Sequence, residues 1–402
     1  MHFGRVLIEG LFCLSMFGWG TAWGGTAAMP LLEESLRLSS ELDFCGEAVP
    51  LADADVRERM EKELLLSLWD RDQAILWLKR STRYFPFIER VLAEAGLPDD
   101  LKYIALAESA LRPHAGSPKG AIGFWQFLPE TGRRYGLIVN DHIDQRSNLA
   151  ASTRAAADYY AALYHKFGSW SLAATAFNMG EEGLQAEIMV QGTRDFYRLY
   201  LPLETQRYLF RVLSAKLILT QPEQYGFYLK TADYYPPLAF DLVELTCWNE
   251  TSLAVVADAA QTDFKRIKDL NPELRGHYLA AGTYTLAVPE NTGPGIQERF
   301  NRLHAEWLQK RTERVYIVKS GDNLSTIAEQ FRVPLPAILI WNRIDLNRPI
   351  HPGDLLIAQL SHMHSHETGC QGAEFIEMFQ RALAGHLHGL LDLESGLVHV
   401  HV

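Results

Sequence analysis

Residues 101–127 read LKYIALAESALRPHAGSPKGAIGFWQF. Leu101, Ile104, Ala105, Glu108 and Leu111 recur at i, i+3, i+4, i+7 and i+10, the spacing of one helix face. The pattern predicts a helix over 101–111, entered through Pro98-Asp99-Asp100 with proline in the first turn and acids at the positive end of the dipole. Glu108 projects from the apolar stripe, while Lys102 and Ser109 fall off it. Burial disfavours an ionised carboxyl group, and the last helical turn repels an anion. Both effects keep Glu108 protonated near neutral pH, as a general acid must be to protonate a leaving oxygen. A structural glutamate paired with an arginine would show the same pattern.

Beyond Pro113 the stretch becomes a glycine-bearing loop. Gly120 and Gly123 flank Ala121-Ile122 and permit positive φ or a close backbone approach. Trp125 offers an apolar face to a sugar ring or to the core. Gln126 offers a donor and an acceptor suited to an acetamido group.

Outward from here the chain reads as helical. Upstream, Val56, Met60, Leu64 and Leu68 recur every four residues. Pro86 is expected to break that run, with a short helix from Phe87 stopped by Gly96. Downstream, helices are expected over 152–167, 171–178 and 204–219, and no period-two strand is evident over 44–221. The acids Asp141, Asp144, Glu181 and Glu182 read as caps and solvated faces. Glu108 is thus left without the second carboxylate that a hydrolytic glycosidase uses.

Taken in order, Ala107-Glu108-Ser109, Ser117 and Gly120–Phe127 resemble the catalytic motif of family 1 lytic transglycosylases, in the subgroup of the membrane-bound lytic murein transglycosylase D type. The likeness continues through Pro129–Leu137, Asp144-Gln145-Arg146, Ala151–Ala156, Ala174–Gly180 and Glu204–Tyr208, covering about 56–215. It implies an all-α, lysozyme-like (goose-type) catalytic domain. It also implies that Glu108 is the catalytic acid/base and that Ser117, Gln126, Asn178 and Tyr208 line its groove. Phe177 stands where the family usually has Tyr, Met179 where it often has Ala, and Asn148 replaces part of an Asp-Pro. These departures bear on groove shape and polarity more than on reaction type.

The family chemistry needs no metal and no cofactor. By this resemblance, Glu108 is expected to protonate the glycosidic oxygen following N-acetylmuramic acid, with the substrate's 2-acetamido oxygen stabilising the developing cation. Glu108 then accepts the C6 hydroxyl proton as that oxygen closes a 1,6-anhydro ring. Two alternatives stand beside this reading: a goose-type lysozyme-like muramidase that uses water, and a non-catalytic peptidoglycan-binding scaffold.

After Gln221 short β-like pieces surround helical ones, and two units match without a gap at an offset of 71 residues. Leu253 matches Leu324, Ile267 matches Ile338, Asn271 matches Asn342, Gly282 matches Gly353 and Leu286 matches Ile357. The later copy, about 314–358, reads as strand, turn, helix, helix, strand and resembles a LysM domain, a module that binds N-acetylglucosamine-containing glycans. The resemblance implies a glycan groove between Gly321, Asp322, Asn323 and Leu324 on one loop and a second loop, 343–346, that includes Ile344. The earlier copy has Glu250-Thr251 in place of the Gly-Asp turn, so its groove loop must differ. Each copy is expected to have its own small core and to act on catalysis mainly as a tether.

The expected organisation is a signal peptide at 1–28, the all-α transglycosylase domain at 29–225, a degenerate LysM-like repeat at 238–290, a connecting helix at 291–312, the βααβ LysM domain at 313–359 and a tail at 360–402. His2 and Arg5 precede an apolar stretch from Val6 to Trp23, and small residues follow, which points to export to the periplasm or cell envelope. A formal net charge of −11 argues against nucleic acid, and the resemblance implies peptidoglycan glycan strands as the partner. Peripheral membrane association and oligomeric state stay open. Four cysteines show no metal spacing, and a Cys45–Cys247 bridge is conceivable in an oxidising compartment. Seven of the fourteen histidines fall in the tail, where the bland reading of an accessory segment outweighs metal binding.

Overall fold

A computed structural model describes residues 32–38, 41–312 and 315–358. The expected signal and the His-rich tail lie outside the described residues. The chain divides into two compact units, the first ending at Phe300 and the second beginning at Asn301.

Seven helices build the larger part of the first unit: Ala54–Trp69, Arg71–Glu94, Lys102–Ser109, Leu149–Phe167, Trp170–Met179, Glu181–Gln191 and Leu203–Thr220. Their starts are set by side chains that satisfy otherwise orphaned amides. Asp70 accepts from the amide of Gln73, Asn148 from Ala151 and Ser169 from Leu172. Such caps are each worth about 1 kcal/mol. The core continues past Gln221 through Tyr225 and Phe227.

Several local expectations change. The helix Arg71–Glu94 runs straight through Pro86, and the break lies at Asp70 instead. Burial of Phe85 and Ile88 on either side of the proline offsets the missing N–H. The helix bearing Glu108 ends at Ser109, because Ala110 and Leu111 adopt φ of 51° and 56°. Lys102 and Ser109 are buried on it rather than solvated, so this short helix is enclosed on nearly every side. Its lysine is tied to Glu89 at 2.7 Å and to Asp99. A two-residue hairpin, Asp43–Phe44 against Glu47–Ala48, interrupts the otherwise all-α character.

The Cys45–Cys247 bridge is not formed. Both thiols are free. Cys45 sits in the hairpin turn with its amide held by Asp100, whereas Cys247 is buried at the end of the strand Phe240–Cys247 in the earlier repeat. Burial raises both thiol pKa values, that of Cys247 to about 11.

That repeat pairs Phe240–Cys247 antiparallel with Gly282–Pro289, in register from Phe240 opposite Pro289 to Cys247 opposite Gly282. The helices Leu253–Ala259 and Phe264–Leu270 lie between the strands in sequence. Asn271 then locks the turn: its amide donates to the carbonyls of Ile267 and Ala287, and its oxygen accepts from the amide of Ala287. The helix Ile296–Thr312 carries the chain onward.

The second unit pairs Val315–Ile317 with Leu355–Ile357 around the helices Leu324–Phe331 and Leu335–Asn342. Asn342 makes the same three bonds as Asn271, to Ile338 and to both backbone groups of Ile357. These bonds correct the alignment of the copies. Ile357 is the counterpart of Ala287, not of Leu286, so one residue is lost between the asparagine and the last strand.

Candidate active site

Glu108 sits in the last turn of Lys102–Ser109, half-buried at the edge of a cavity of about 360 Å³. The hydroxyl of Tyr208, from the helix Leu203–Thr220, donates to Oε1 of Glu108 at 2.6 Å. Burial raises the pKa of Glu108 to about 7, against the lowering effects of the Tyr208 bond and of the Arg211 charge. Tyr208 is itself buried, and its phenol pKa is pushed well above the usual value by burial and by the neighbouring carboxyl.

The loop that follows is shaped by backbone geometry. Gly123 has φ of 90°, and a Cβ there would lie 1.8 Å from the carbonyl oxygen of Arg146. Only glycine fits that approach. Ser109 donates from its hydroxyl to the carbonyl of Phe124, fixing the catalytic helix to the loop. Gln126 has φ of 50° and donates from Nε2 to the carbonyls of Ala115 and Gly123, while Ser117 Oγ accepts from the amide of Ala121. Trp125 belongs to the core, fully buried, with Nε1 donating to Thr153.

Ser117, Gln126 and Asn178 all line the cavity with Glu108. Asn178 accepts from the Thr205 hydroxyl at 3.0 Å. Tyr208 does not line the cavity; it stands behind Glu108 and reaches it through one hydrogen bond. Lys119, Leu128, Thr131 and Tyr159 join the lining, and sequence reasoning missed all four. Phe177 stacks on Tyr160 with ring centroids 4.8 Å apart, so its lack of a hydroxyl leaves an apolar wall. Among the described residues lining the cavity, Glu108 is the sole carboxylate.

Asp144 is a cap, as one of the two readings expected, accepting from the amide of Arg146, but it is not solvated. It is buried, and it accepts from Nε and Nη2 of Arg146 at 2.8 and 2.7 Å. Burial favours its neutral form, but the guanidinium groups of Arg146 and Arg275 outweigh this and hold the carboxyl below its usual pKa. Among the described residues, no group of histidine, cysteine, aspartate and glutamate could hold a metal ion. Nor is any described helix long and apolar enough to cross a membrane.

In the second unit, Asp322 accepts from the Tyr316 hydroxyl and from the amide of Lys319, which shapes the Gly321 turn. Asn323 caps the following helix in a reciprocal arrangement with Thr326. Gly321 and Asn323 are exposed, whereas Leu324 is part of the unit's core and Ile344 packs against it.

The Transglycosylase SLT domain family matches residues 85–199, and the LysM domain family matches residues 316–358. Membrane-bound lytic murein transglycosylase D of Escherichia coli (strain K12) is 30% identical over 363 residues, which is 85% of this chain and 78% of that protein. A putative tributyltin chloride resistance protein of Alteromonas sp. (strain M-1) is 33% identical over 110 residues, 27% of this chain and 53% of that protein. The 70 kDa soluble lytic transglycosylase SLT70 of Escherichia coli is 15% identical, covering 51% of this chain and 44% of its own, with a TM-score of 0.33, too low to bear on the architecture. With an SLT transglycosylase domain, a LysM domain and this extended identity, the chain belongs to the lytic murein transglycosylase D family.

Proposed function

We propose that this chain cleaves peptidoglycan glycan strands non-hydrolytically, at the β-1,4 bond between N-acetylmuramic acid and N-acetylglucosamine, leaving 1,6-anhydro-N-acetylmuramic acid ends. The observation that carries this reading is Glu108 as the sole carboxylate among the described residues lining the cavity, with its pKa raised to about 7 and bonded to Tyr208. Hydrolysis with two acids would need a second carboxylate about 5–9.5 Å away.

In the proposed sequence, protonated Glu108 donates its proton to the glycosidic oxygen as the C1–O bond breaks. The substrate's acetamido oxygen stabilises the positive charge at C1. The carboxylate of Glu108 then takes the C6 hydroxyl proton, and the C6 oxygen bonds to C1. One proton leaves the acid and one returns, with no water consumed. Ser117, Gln126 and Asn178 supply polar atoms along the cavity for the sugar's amide and hydroxyl groups.

The LysM unit, through Gly321, Asp322, Asn323 and Ile344, holds the enzyme on its polymer and raises its local concentration there. Leu324 serves that unit from its core. We place the mature protein in the periplasm or cell envelope, where its polymer lies. Replacing Glu108 by Gln tests the acid: the folded variant should bind sacculi normally and lose at least ~10²-fold in turnover. Near-normal turnover would remove Glu108 from the mechanism.

A further inference from the structure

The earlier repeat touches the catalytic helices through the segment directly after Asn271. The amide of Asp144 donates to the carbonyl of Glu273, and the amide of Arg275 donates to the carbonyl of His142, both at 2.8 Å. Ile143 and Leu274 form an antiparallel bridge between these bonds. Arg275 also extends Nη2 to Oδ2 of Asp144 at 2.6 Å.

Asp144 is the residue that orients Arg146. The remaining donor of that guanidinium, Nη1, bonds the carbonyls of Gly120 and Phe127 at 2.8 and 3.0 Å. Those two residues bound the loop that presents Gln126 to the cavity, and Gly123 within it is pressed against the Arg146 carbonyl. A relay thus runs from Arg275 through Asp144 and Arg146 to both ends of the active-site loop.

The same segment is covered at Glu273 and Leu274, while Arg275 stays exposed. Glu273, Leu274 and Arg275 follow Asn271 as Ile344, Asp345 and Leu346 follow Asn342. In the second unit, Asp345 and Leu346 are exposed. In the earlier repeat, Glu273 and Leu274 are buried. There, in addition, Thr251-Ser252 pair with Tyr278-Leu279, and the amide of Leu253 bonds the carbonyl of His277. The loop before the first helix and the chain after the second are therefore joined to each other. Among the described residues of the second unit, strand pairing is confined to Val315–Ile317 with Leu355–Ile357.

We propose that the earlier repeat is a built-in clamp of the catalytic domain, with Arg275 as a positioning residue that holds the Gly120–Phe127 loop through Asp144 and Arg146. It is not a second glycan-binding module. The inference rests on the proposed reaction for its kinetic part only, because the rigidity of the loop can be measured without substrate.

The test uses the full chain and its Arg275→Ala and Arg275→Lys variants. Amide exchange across 115–127 is followed by mass spectrometry, and turnover is followed on short soluble glycan fragments and on sacculi. The clamp predicts about tenfold faster exchange in the alanine variant and a kcat lower by about tenfold. KM and sacculus binding should stay within about twofold of the parent, with both losses largely restored by lysine. Parental exchange and kcat in Arg275→Ala would overturn it, as would faster exchange with parental kcat. Lost sacculus binding at parental kcat would also overturn it, by making the repeat a glycan binder. If the parent itself releases no fragments, the proposed reaction fails and the exchange result alone decides the clamp.

Discussion

Tyr208 and Glu108 lie 100 residues apart and meet through a hydrogen bond of 2.6 Å from the phenol to Oε1. This bond stabilises the ionised carboxylate, whereas burial opposes it, and the balance places Glu108 at about 7. Tyr208 therefore touches the carboxyl group directly without forming a wall of the cavity.

Removing that hydroxyl should raise the pKa of Glu108. In Tyr208→Phe the basic limb of the pH–rate profile should move upward by about one unit, the size expected for a bond to a charged group. A profile measured from pH 5 to 9 checks this. An unmoved limb would mean that Tyr208 does not tune the acid.

The same displaced pKa has a stability signature. Glu108 has the ordinary glutamate pKa of about 4.5 when unfolded, and burial pushes it up to about 7 when folded. The folded state therefore holds its proton more tightly, and stability falls as pH rises from about 4.5 to 7, with the full cost present above that. Glu108→Gln should remove the cost, raising stability at pH 8 by at most about 3 kcal/mol and leaving it nearly unchanged at pH 4. Thermal melts at both pH values supply the comparison; equal shifts would contradict the displaced pKa.

Gly123→Ala places a methyl group against the Arg146 carbonyl at a backbone φ of 90°. Neither backbone segment can give way cheaply, so a loss of about 2–4 kcal/mol is expected. A denaturant midpoint matching the parent would show that the loop has room that the geometry denies.

Asn342→Ala should loosen the LysM unit without touching the catalytic domain. It removes three hydrogen bonds that join Ile338 and Ile357, leaving backbone groups of the last strand unpaired at a cost of about 2–3 kcal/mol. Sacculus binding should fall while cleavage of soluble fragments persists. Equal loss of both would tie this unit directly to the catalytic site.

What was legible in the sequence was local. The i, i+3, i+4, i+7 stripe placed Glu108 at the edge of an apolar helix, and Gly123 behind it announced a close backbone approach. Pro86 misled, because burial of Phe85 and Ile88 outweighs one missing hydrogen bond. Asp144 was legible as a cap but not as a buried acid, because its partner Arg275 lies 131 residues away. The contacts of the earlier repeat with the catalytic helices were hidden in the same way. Its own strands and helices were visible as a pattern, but the Glu273–Arg275 contacts follow no period. The gapless match of the two copies hid a one-residue slip that only the paired bonds of Asn271 and Asn342 reveal.

The central claim is that one carboxylate suffices because the substrate closes the ring on itself. Digestion of purified sacculi in isotopically labelled water, followed by mass spectrometry of the released muropeptides, tests it most directly. The account predicts muramic acid ends one water lighter than the hydrolysis product, with no label incorporated, and their disappearance with Glu108→Gln. Reducing ends carrying labelled oxygen would contradict it and make the chain a hydrolase.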